Sequence, residues 1–404
     1  MSSLRILHVV PYYERAWAYG GIPRVATAMT RGLARNGHRV TVCTTDACDA
    51  STRVPAERLE ACLDPAVDVH VFPNLSNALA YHWQLFTPLG LATHLRVTAP
   101  TFDVAHLHAC RNLPVSIAAR ALRTAGVPYV LSPNGTAPLI ERRFLAKRAF
   151  DATFGRNVLS CAARVLAVTQ AERRQLRQLR VPDDDITVLP NPVDEREFDT
   201  PGDPEAFRRA HALGTSPIVL FLGKLTPRKG VDVLLRAFAR LDQPDLRLVI
   251  AGNDMGSGAA LRRLTHALGL ASRTLSVGLL RDRDRLDALA AAAVVAYPSR
   301  DEVFGLVAAE ALLCGAPVVV SHDSGCGEVV GTVGGGLVVP YGHDEKLAAA
   351  ITAMVRAQTL WRERARIAAG RVRRLFGAAT VCAQLEGVYA DVVARNRADA
   401  RRRA

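Results

Sequence analysis

The stretch "YPSRDEVFGLVAAEALLCGAPVVV", residues 297–320, decides how this chain folds. The apolar run "VVAYPS" (294–299) leads into it, Gly305 interrupts it, and an apolar helical pattern then closes on Cys-Gly-Ala-Pro and three valines. Strand, helix and strand in that order, apolar throughout, describe a parallel β-α-β unit covered on both faces. Its loop raises a second question, because Glu302 and Glu310 lie eight positions apart around Phe304-Gly305. The first N–H groups of a helix lack intrahelical partners and carry partial positive charge. A diphosphate would bind at such a helix start, with Gly305 letting its oxygens approach the main chain. Glu302 would then meet sugar hydroxyls and Glu310 a ribose. On the plainer reading Glu302 is a first-turn acid and Glu310 a solvated helix position. Spacing does not choose between them: among fourteen glutamates such a pair arises by chance, and Glu197 and Glu205 form a second one with no function assigned.

Outward from this unit the alternation continues. "RILHVV" (5–10), "HRVTVCTT" (38–45), "VDVHVF" (67–72), "DVAHLH" (103–108), "YVLSP" (129–133), "RVLAVT" (164–169) and "ITVLP" (186–190) precede the proline-rich stretch "PNPVDEREFDTPGDPEAFRR" (190–209). After it the pattern restarts with "PIVLFLG" (217–223), "LRLVIAG" (246–252), "TLSVG" (274–278), "PVVVS" (317–321) and "GLVVP" (336–340). At 404 residues this predicts two doubly wound α/β domains,. Residues 1–195 form the first and 196–375 the second, while 376–404 form a C-terminal helix and basic tail packing back on the first. Ligands of open α/β sheets bind beyond the carboxyl ends of the strands, so the cleft between two such sheets is the expected site.

Composition excludes several classes. With 49% hydrophobic and 22% charged residues the chain is globular rather than disordered,. Net charge is +13, and only four of 51 basic residues are lysines. This excess attracts phosphate-bearing substrates or an anionic membrane face and is not read as nucleic-acid binding. No GxGxxG follows a strand, which counts against a simple dinucleotide dehydrogenase. Eight cysteines show neither a CxxC pair nor metal-site spacing, and the aspartates of "PDDD" (182–185) and "DRDRLD" (282–287) read as surface or capping groups,. The N-terminus lacks signal-peptide character and no run reaches the roughly 18 apolar residues of a membrane span, so a reducing cytoplasm is the expected compartment.

Two further elements carry chemistry. "FLGKLTPRKGVDVLLRAF" (221–238) runs from a strand through a basic turn into a helix, and Lys224 and Lys229 are half of the chain's lysines. They suit a phosphate; they also suit a solvated loop. In "VVPYYERAWAYGGIPRVATAMTRGLARNGHRVTVCTTDA" (9–47), Gly20-Gly21 marks either close approach of main chain to a ligand or simply a tight turn,.

Together these elements resemble the retaining glycosyltransferase family 4 (group 1), whose members have the GT-B architecture of two facing Rossmann-like domains. The matching pieces are "YGGIPRVA" with "GHRVTV", "VLPNPVD", "GKLTPRKG", "YPSRDEVFGLVAAEALLCGAPVVV" and "GGLVVPYGHDEKLAAAI", in the family's order along nearly the whole chain. The resemblance implies that Lys224 and Lys229 clamp the diphosphate of a nucleotide diphosphate-sugar, the donor substrate, with no cofactor. Lys224 stands where the family more often has arginine. Glu302 would contact the transferred sugar, the main chain of Phe304, Gly305 and Leu306 would surround sugar and phosphate, Glu310 would hold the ribose, and Gly21 would pack against the phosphates. In "VLSPNGTAP" (130–138), Asn134 replaces the histidine or arginine that many relatives place near the reacting sugar. Asparagine offers hydrogen bonds but no charge and no proton exchange. His108 points into the same cleft in this scheme, or is an ordinary packed histidine.

The implied reaction moves a sugar to an acceptor hydroxyl with retention of configuration, Glu302, Lys229 and Asn134 being the catalytic set. Two cations and a helix end would carry the leaving charge without a metal. The acceptor is a glycan, a lipid-linked or a small-molecule hydroxyl, in cell-envelope polysaccharide or glycolipid assembly. Residues 139–161, "LIERRFLAKRAFDATFGRNVLSC", read either as a basic amphipathic helix for peripheral contact with an anionic membrane or as one covering layer of the sheet,. The competing functions are a nucleotide-sugar epimerase on the same scaffold and a non-catalytic sugar-nucleotide-binding subunit.

Overall fold

Strands without a polar face must be covered on both sides, and the chain builds two sheets of that kind. The computed structural model describes residues 3–54, 65–138, 150, 153, 155, 157–322 and 325–403. Much of 139–161, the basic segment with Phe144 and Phe154, lies outside the described residues. Contacts divide the chain into one unit of residues up to Pro192 together with Ala378 onward, and a second of Val193–Gly377.

The first unit holds β1 (Arg5–Val9), β2 (Arg39–Thr45), β3 (Val67–Phe72), β4 (Val104–His108), β5 (Tyr129–Ser132), β6 (Arg164–Ala167) and β7 (Ile186–Val188), in the order β3-β2-β1-β4-β5-β6-β7. Every pairing between these strands is parallel. Ile6, Leu7 and Val9 of β1 are fully buried, as their central place demands. The long helix Ala378–Arg403 belongs to this unit. It meets the helix Ile22–Arg35 at Gly32, where an added Cβ would overlap Cys382 Sγ.

Beneath that terminal helix lies a buried polar layer. Register puts His8 opposite His106, and His108 follows two residues on, on the same face of β4,. His106 Nδ1 meets the Tyr389 hydroxyl at 2.6 Å and its Nε2 meets Ser132 Oγ at 2.7 Å, while His8 Nδ1 meets His108 Nε2 at 3.0 Å. His108 is therefore enclosed in the interior, the packed alternative of the sequence reading. These three are the one group among the described residues with nitrogens close enough to share a metal ion. The rings of His106 and His108, however, stack at 4.3 Å and 8°. Stacked rings direct their in-plane lone pairs side by side rather than at one point, and both nitrogens of His106 are taken up by Tyr389 and Ser132. Burial, followed by the neighbouring histidines, drives His8 and His106 well below the ordinary imidazole range, and burial brings His108 to about 3. The layer is neutral.

The second unit holds β8 (Ile218–Leu222), β9 (Arg247–Ala251), β10 (Thr274–Gly278), β11 (Val294–Tyr297), β12 (Val318–Ser321) and β13 (Gly336–Val339), in the order β10-β9-β8-β11-β12-β13 and again all parallel. Its first and last residues bridge, Val193 beside Gly377. In this sheet strand order reverses between β8 and β11. The loops that leave these two neighbours carry the lysine turn and the glutamate motif, so two segments about seventy residues apart in sequence come to one crevice at the carboxyl ends of the strands,. Among the described residues no helix is long and apolar enough to cross a membrane.

Gly32→Ala should test the docking of the terminal helix. Overpacking against the Cys382 thiol is expected to cost about 1–3 kcal/mol in urea unfolding, and Cys382→Ala in the same chain, which removes the clashing sulfur and keeps the helix former, should restore most of it,. An unchanged midpoint in the single variant would show that the helix does not pack at Gly32.

Candidate active site

Two interlocked loops build the centre of the second unit. After β8 the chain makes a short turn at Pro227–Lys229, and Gly230, with φ +66°, starts the helix Val231–Ala239. An added Cβ at Gly230 would overlap the Pro298 carbonyl oxygen, so the lysine turn can rest on the loop after β11 only with glycine there. Lys224 is half-buried and Lys229 buried. Lys229 Nζ donates to Glu302 Oε2 and to the Tyr297 hydroxyl. Tyr297 Oη and Ser299 Oγ each donate to the same Glu302 oxygen at 3.1 Å. Burial alone would raise the Glu302 carboxyl, but the charges of Lys229 and Arg228 and the donated hydrogen bonds outweigh it and hold the acid well below its usual range. Glu302 is a carboxylate, paired with the lysine that the resemblance assigns to diphosphate.

Sequence reasoning passed over Tyr297, Ser299 and Arg228. Tyr297 was legible in outline: a tyrosine inside an apolar strand needs a partner for its hydroxyl.

The helix Leu306–Leu313 begins one step further on. Gly305 caps it at φ +77°, and an added Cβ would overlap Cys326 Sγ, so geometry and space both demand glycine. No side chain caps the helix, which leaves its first amides without a local acceptor side chain,. Phe304 is buried with its ring edge-on to Phe376 at 5.2 Å. Its side chain serves the core and only its main chain borders the loop. Leu306 is half-buried as the first helical residue.

Glu310 departs from the solvated reading of it. It is 5% exposed and pairs with Arg285 Nη1 at 2.6 Å. Arg285, 3% exposed, also reaches Glu197 Oε2 at 2.7 Å and lies over the Phe198 ring at 5.6 Å. Burial works against its charge, yet the two carboxylates raise its pKa above the ordinary value. So Glu310 is not a solvated position, and Glu197, left without a role by spacing, shares its guanidinium. The "DRDRLD" segment needs correction as well. Besides Arg285 it contains buried Asp287, which accepts the Asp203 N–H at 2.7 Å and pairs with Arg283 at 3.0 Å.

Of the pair Gly20-Gly21 in the first unit, Gly20 has the positive φ, at 103°, whereas Gly21 is an exposed N-cap at φ −79°. Asn134 and Gly135 follow β5 with φ of 51° and 77°. Asn134 Nδ2 leans on the Ser132 carbonyl at 3.4 Å and its buried Oδ1 has no protein partner. This turn is held from below by a residue that sequence reading did not single out. Glu172, fully buried, accepts the N–H of Gly135 at 2.6 Å and of Val168 at 2.8 Å. Burial pushes its carboxyl up to about 7 against those two hydrogen bonds. Of the residues assigned from sequence, the structure thus brings Lys229 and Glu302 together, three residues ahead of the Gly305 cap, and Lys224 lies in the same loop after β8 as Lys229. Glu310 is paired with Arg285, and Gly21 and Asn134 sit at strand-end loops of the other unit.

Residues 203–371 match the model of the family described as glycosyl transferases group 1, and residues 19–197 match glycosyltransferase family 4. A D-inositol 3-phosphate glycosyltransferase of Xylanimonas cellulosilytica is 30% identical over 93% of this chain and 93% of its own length. Another, from Stackebrandtia nassauensis, is 34% identical over 74% of this chain and 71% of its own. Among solved structures, Anabaena HepE in complex with UDP and glucose superposes with a TM-score of 0.77 at 21% identity, covering 96% of this chain and 100% of that one. Sucrose-phosphate synthase from Thermosynechococcus elongatus gives 0.73 at 20% identity, covering 97% and 100%. The two doubly wound units, the paired loops after β8 and β11 and these matches along both halves lead to one conclusion: the chain belongs to glycosyltransferase family 4 (group 1) and is a glycosyltransferase of GT-B fold.

Proposed function

We propose that this enzyme moves a sugar from a nucleotide diphosphate-sugar to an acceptor hydroxyl with retention of anomeric configuration. The observation that carries the reading is the meeting of Lys229 and Glu302 beside the glycine-capped helix at Gly305. Cleaving the anomeric bond builds negative charge on the diphosphate. Lys229, Lys224 and the amides at Leu306 are the groups that would stabilise it, each preorganised donor being worth about 2.7–4 kcal/mol. Glu302 would take a sugar hydroxyl and Glu310 a ribose hydroxyl, the latter alongside Arg285. Gly21 and Asn134, at strand-end loops of the first unit, would complete the set that the family resemblance implies. HepE was solved with UDP and with UDP-glucose, which makes a uridine donor the first to try. The relatives named for D-inositol 3-phosphate put a phosphorylated cyclitol on the acceptor panel.

The physiological setting we propose is cell-envelope polysaccharide or glycolipid assembly at the cytoplasmic side, with peripheral contact to an anionic membrane. A net charge of +13 and the exposed Leu75, Leu79, Trp83, Leu85 and Leu89 support such contact,. Leu79 and Trp83 stand four residues apart on the helix Asn77–Trp83 and so share its face,.

Glu302→Gln or Lys229→Met should lower transfer by about 10²–10³-fold, measured as product formed from a panel of nucleotide sugars; near-normal turnover would defeat the assignment. Because the pair is buried, losing one partner also costs about 3–5 kcal/mol, so both variants are to be compared below their melting temperatures. NMR of the product's anomeric proton decides retention, an inverted centre overturning it. Transfer should persist in excess EDTA, and a complete, metal-reversible loss would contradict the metal-free scheme.

The protein should float with vesicles of anionic lipid at low salt and detach at high salt. Absence of binding at low salt would remove the membrane from the proposal.

A further inference from the structure

Three donors converge on a single oxygen of Glu302. Lys229 Nζ, Tyr297 Oη and Ser299 Oγ all meet Oε2, and Oε1 takes none of them. An ionised carboxylate has about four acceptor positions, so saturating one oxygen fixes the group's rotation and leaves the other oxygen's capacity for something else. Tyr297 is itself fixed from several sides. Its ring is 3% exposed, stacks with Phe221 at 6.0 Å and 19°, and lies 4.8 Å beneath Lys229 Nζ. A Cβ added at Gly223, in the lysine loop, would stand 3.3 Å from it. The hydroxyl accepts from Lys229 and donates to Glu302, which uses its one proton in the direction of the carboxylate. Burial, foremost, with the adjoining carboxylate keeps that proton in place well above the ordinary tyrosine range.

The arrangement answers a problem in the proposed reaction. If Lys229 turns to a diphosphate, Glu302 would be left as a buried charge without its cation, a costly state. Two hydroxyls already seated on Oε2 prevent that.

We propose that Tyr297, assisted by Ser299, is a positioning residue: its hydroxyl pins Glu302 Oε2 so that Oε1 is presented to a hydroxyl of the transferred sugar while Lys229 exchanges carboxylate for diphosphate. The proposal rests on the transferase reading given above. A purely structural tyrosine would affect nucleotide and nucleotide sugar alike, and this difference is what the experiment reads.

The full chain is compared with Tyr297→Phe, which keeps the ring, and with Ser299→Ala. Calorimetric affinities are measured for a nucleoside diphosphate and for its sugar conjugate, the pair chosen from UDP-, GDP- and ADP-hexoses by the largest thermal shift, together with kcat for transfer. Tyr297→Phe should leave nucleoside diphosphate affinity within about twofold, weaken the sugar conjugate about tenfold and lower kcat by a similar factor, as expected for losing a hydrogen bond to a charged group. Ser299→Ala should do the same more weakly. Equal changes for the two ligands, or no change in either, would overturn the positioning role. A wild-type enzyme that binds nucleotide sugars yet transfers nothing would overturn the transferase reading by itself, and the affinity comparison would still decide for or against Tyr297.

Discussion

The Lys229–Glu302 ion pair is the constraint on which the second unit's centre depends. Its side chains are 7% and 15% exposed, so each ion has lost most of its water. Desolvation of that kind costs several kcal/mol per ion, and mutual attraction offsets it only where further hydrogen bonds complete the site. Tyr297 and Ser299 supply them. The net contribution to stability is therefore modest, and what the pair secures is geometry: the loop after β8 and the loop after β11 are locked to each other. In the proposed reaction a substrate diphosphate would replace one anion by another beside Lys229, with the lysine's position already set. The cost of organising the charge is met on folding.

That geometry follows from topology. Where strand order reverses, the connections leave neighbouring strands in opposite directions across the sheet and a crevice opens at their carboxyl ends. In the second unit the reversal falls between β8 and β11, and both chemistry-bearing loops issue from these strands. In the first unit it falls between β1 and β4, with Gly20-Gly21 after β1 and Asn134 one strand further along. Below the first unit's strand ends the chain spends its polarity inward. The sequence Ser132, His106, Tyr389, His8, His108 is held by hydrogen bonds in a region too dry for an imidazolium,.

What could be read from sequence was local. Alternating apolar runs marked the sheets, and Gly305 marked a helix start because a left-handed cap before "LVAAEALL" has few alternatives to glycine,. Partners were not legible, since they are set by contacts between distant positions. Lys229 and Glu302 are 73 residues apart and Arg285 and Glu197 are 88 apart. Neither spacing nor propensity distinguishes a guanidinium bound for the core from one bound for water, which is why "DRDRLD" read as surface. His108 needed the knowledge that β1 lies beside β4, since only that pairing brings His8 to it. Gly20 and Gly21 are adjacent and chemically alike, and only the backbone angles separate the strained position from the ordinary one. Glu172 follows the same rule: an acid in a helical "QAERRQL" pattern looks solvated until the loops after β5 and β6 are seen to donate to it.

The proposed transfer has to move a proton, and the chemistry of the residues assigned to it limits where that proton can go. Asn134 is held left-handed by a turn whose next amide is tied to buried Glu172, so its side chain has little freedom to reorient. Its Nδ2 faces the Ser132 carbonyl, leaving Oδ1 as an acceptor with no protein partner. Such an oxygen can receive a hydrogen bond from a hydroxyl but can neither bind a proton at neutral pH nor supply positive charge. Glu302 is no better as a base, because the surrounding cations hold its carboxyl far below neutrality and a conjugate base that weak gains little by taking a proton,. With both removed from proton transfer, the oxygen of the departing diphosphate is the base the scheme retains. In the proposed transfer that oxygen would gain basicity as the anomeric bond breaks, and it would stand on the face of the sugar that the diphosphate vacates. Under the proposed transfer, retention would follow, because the acceptor hydroxyl would hand its proton to that oxygen and so attack from the same face.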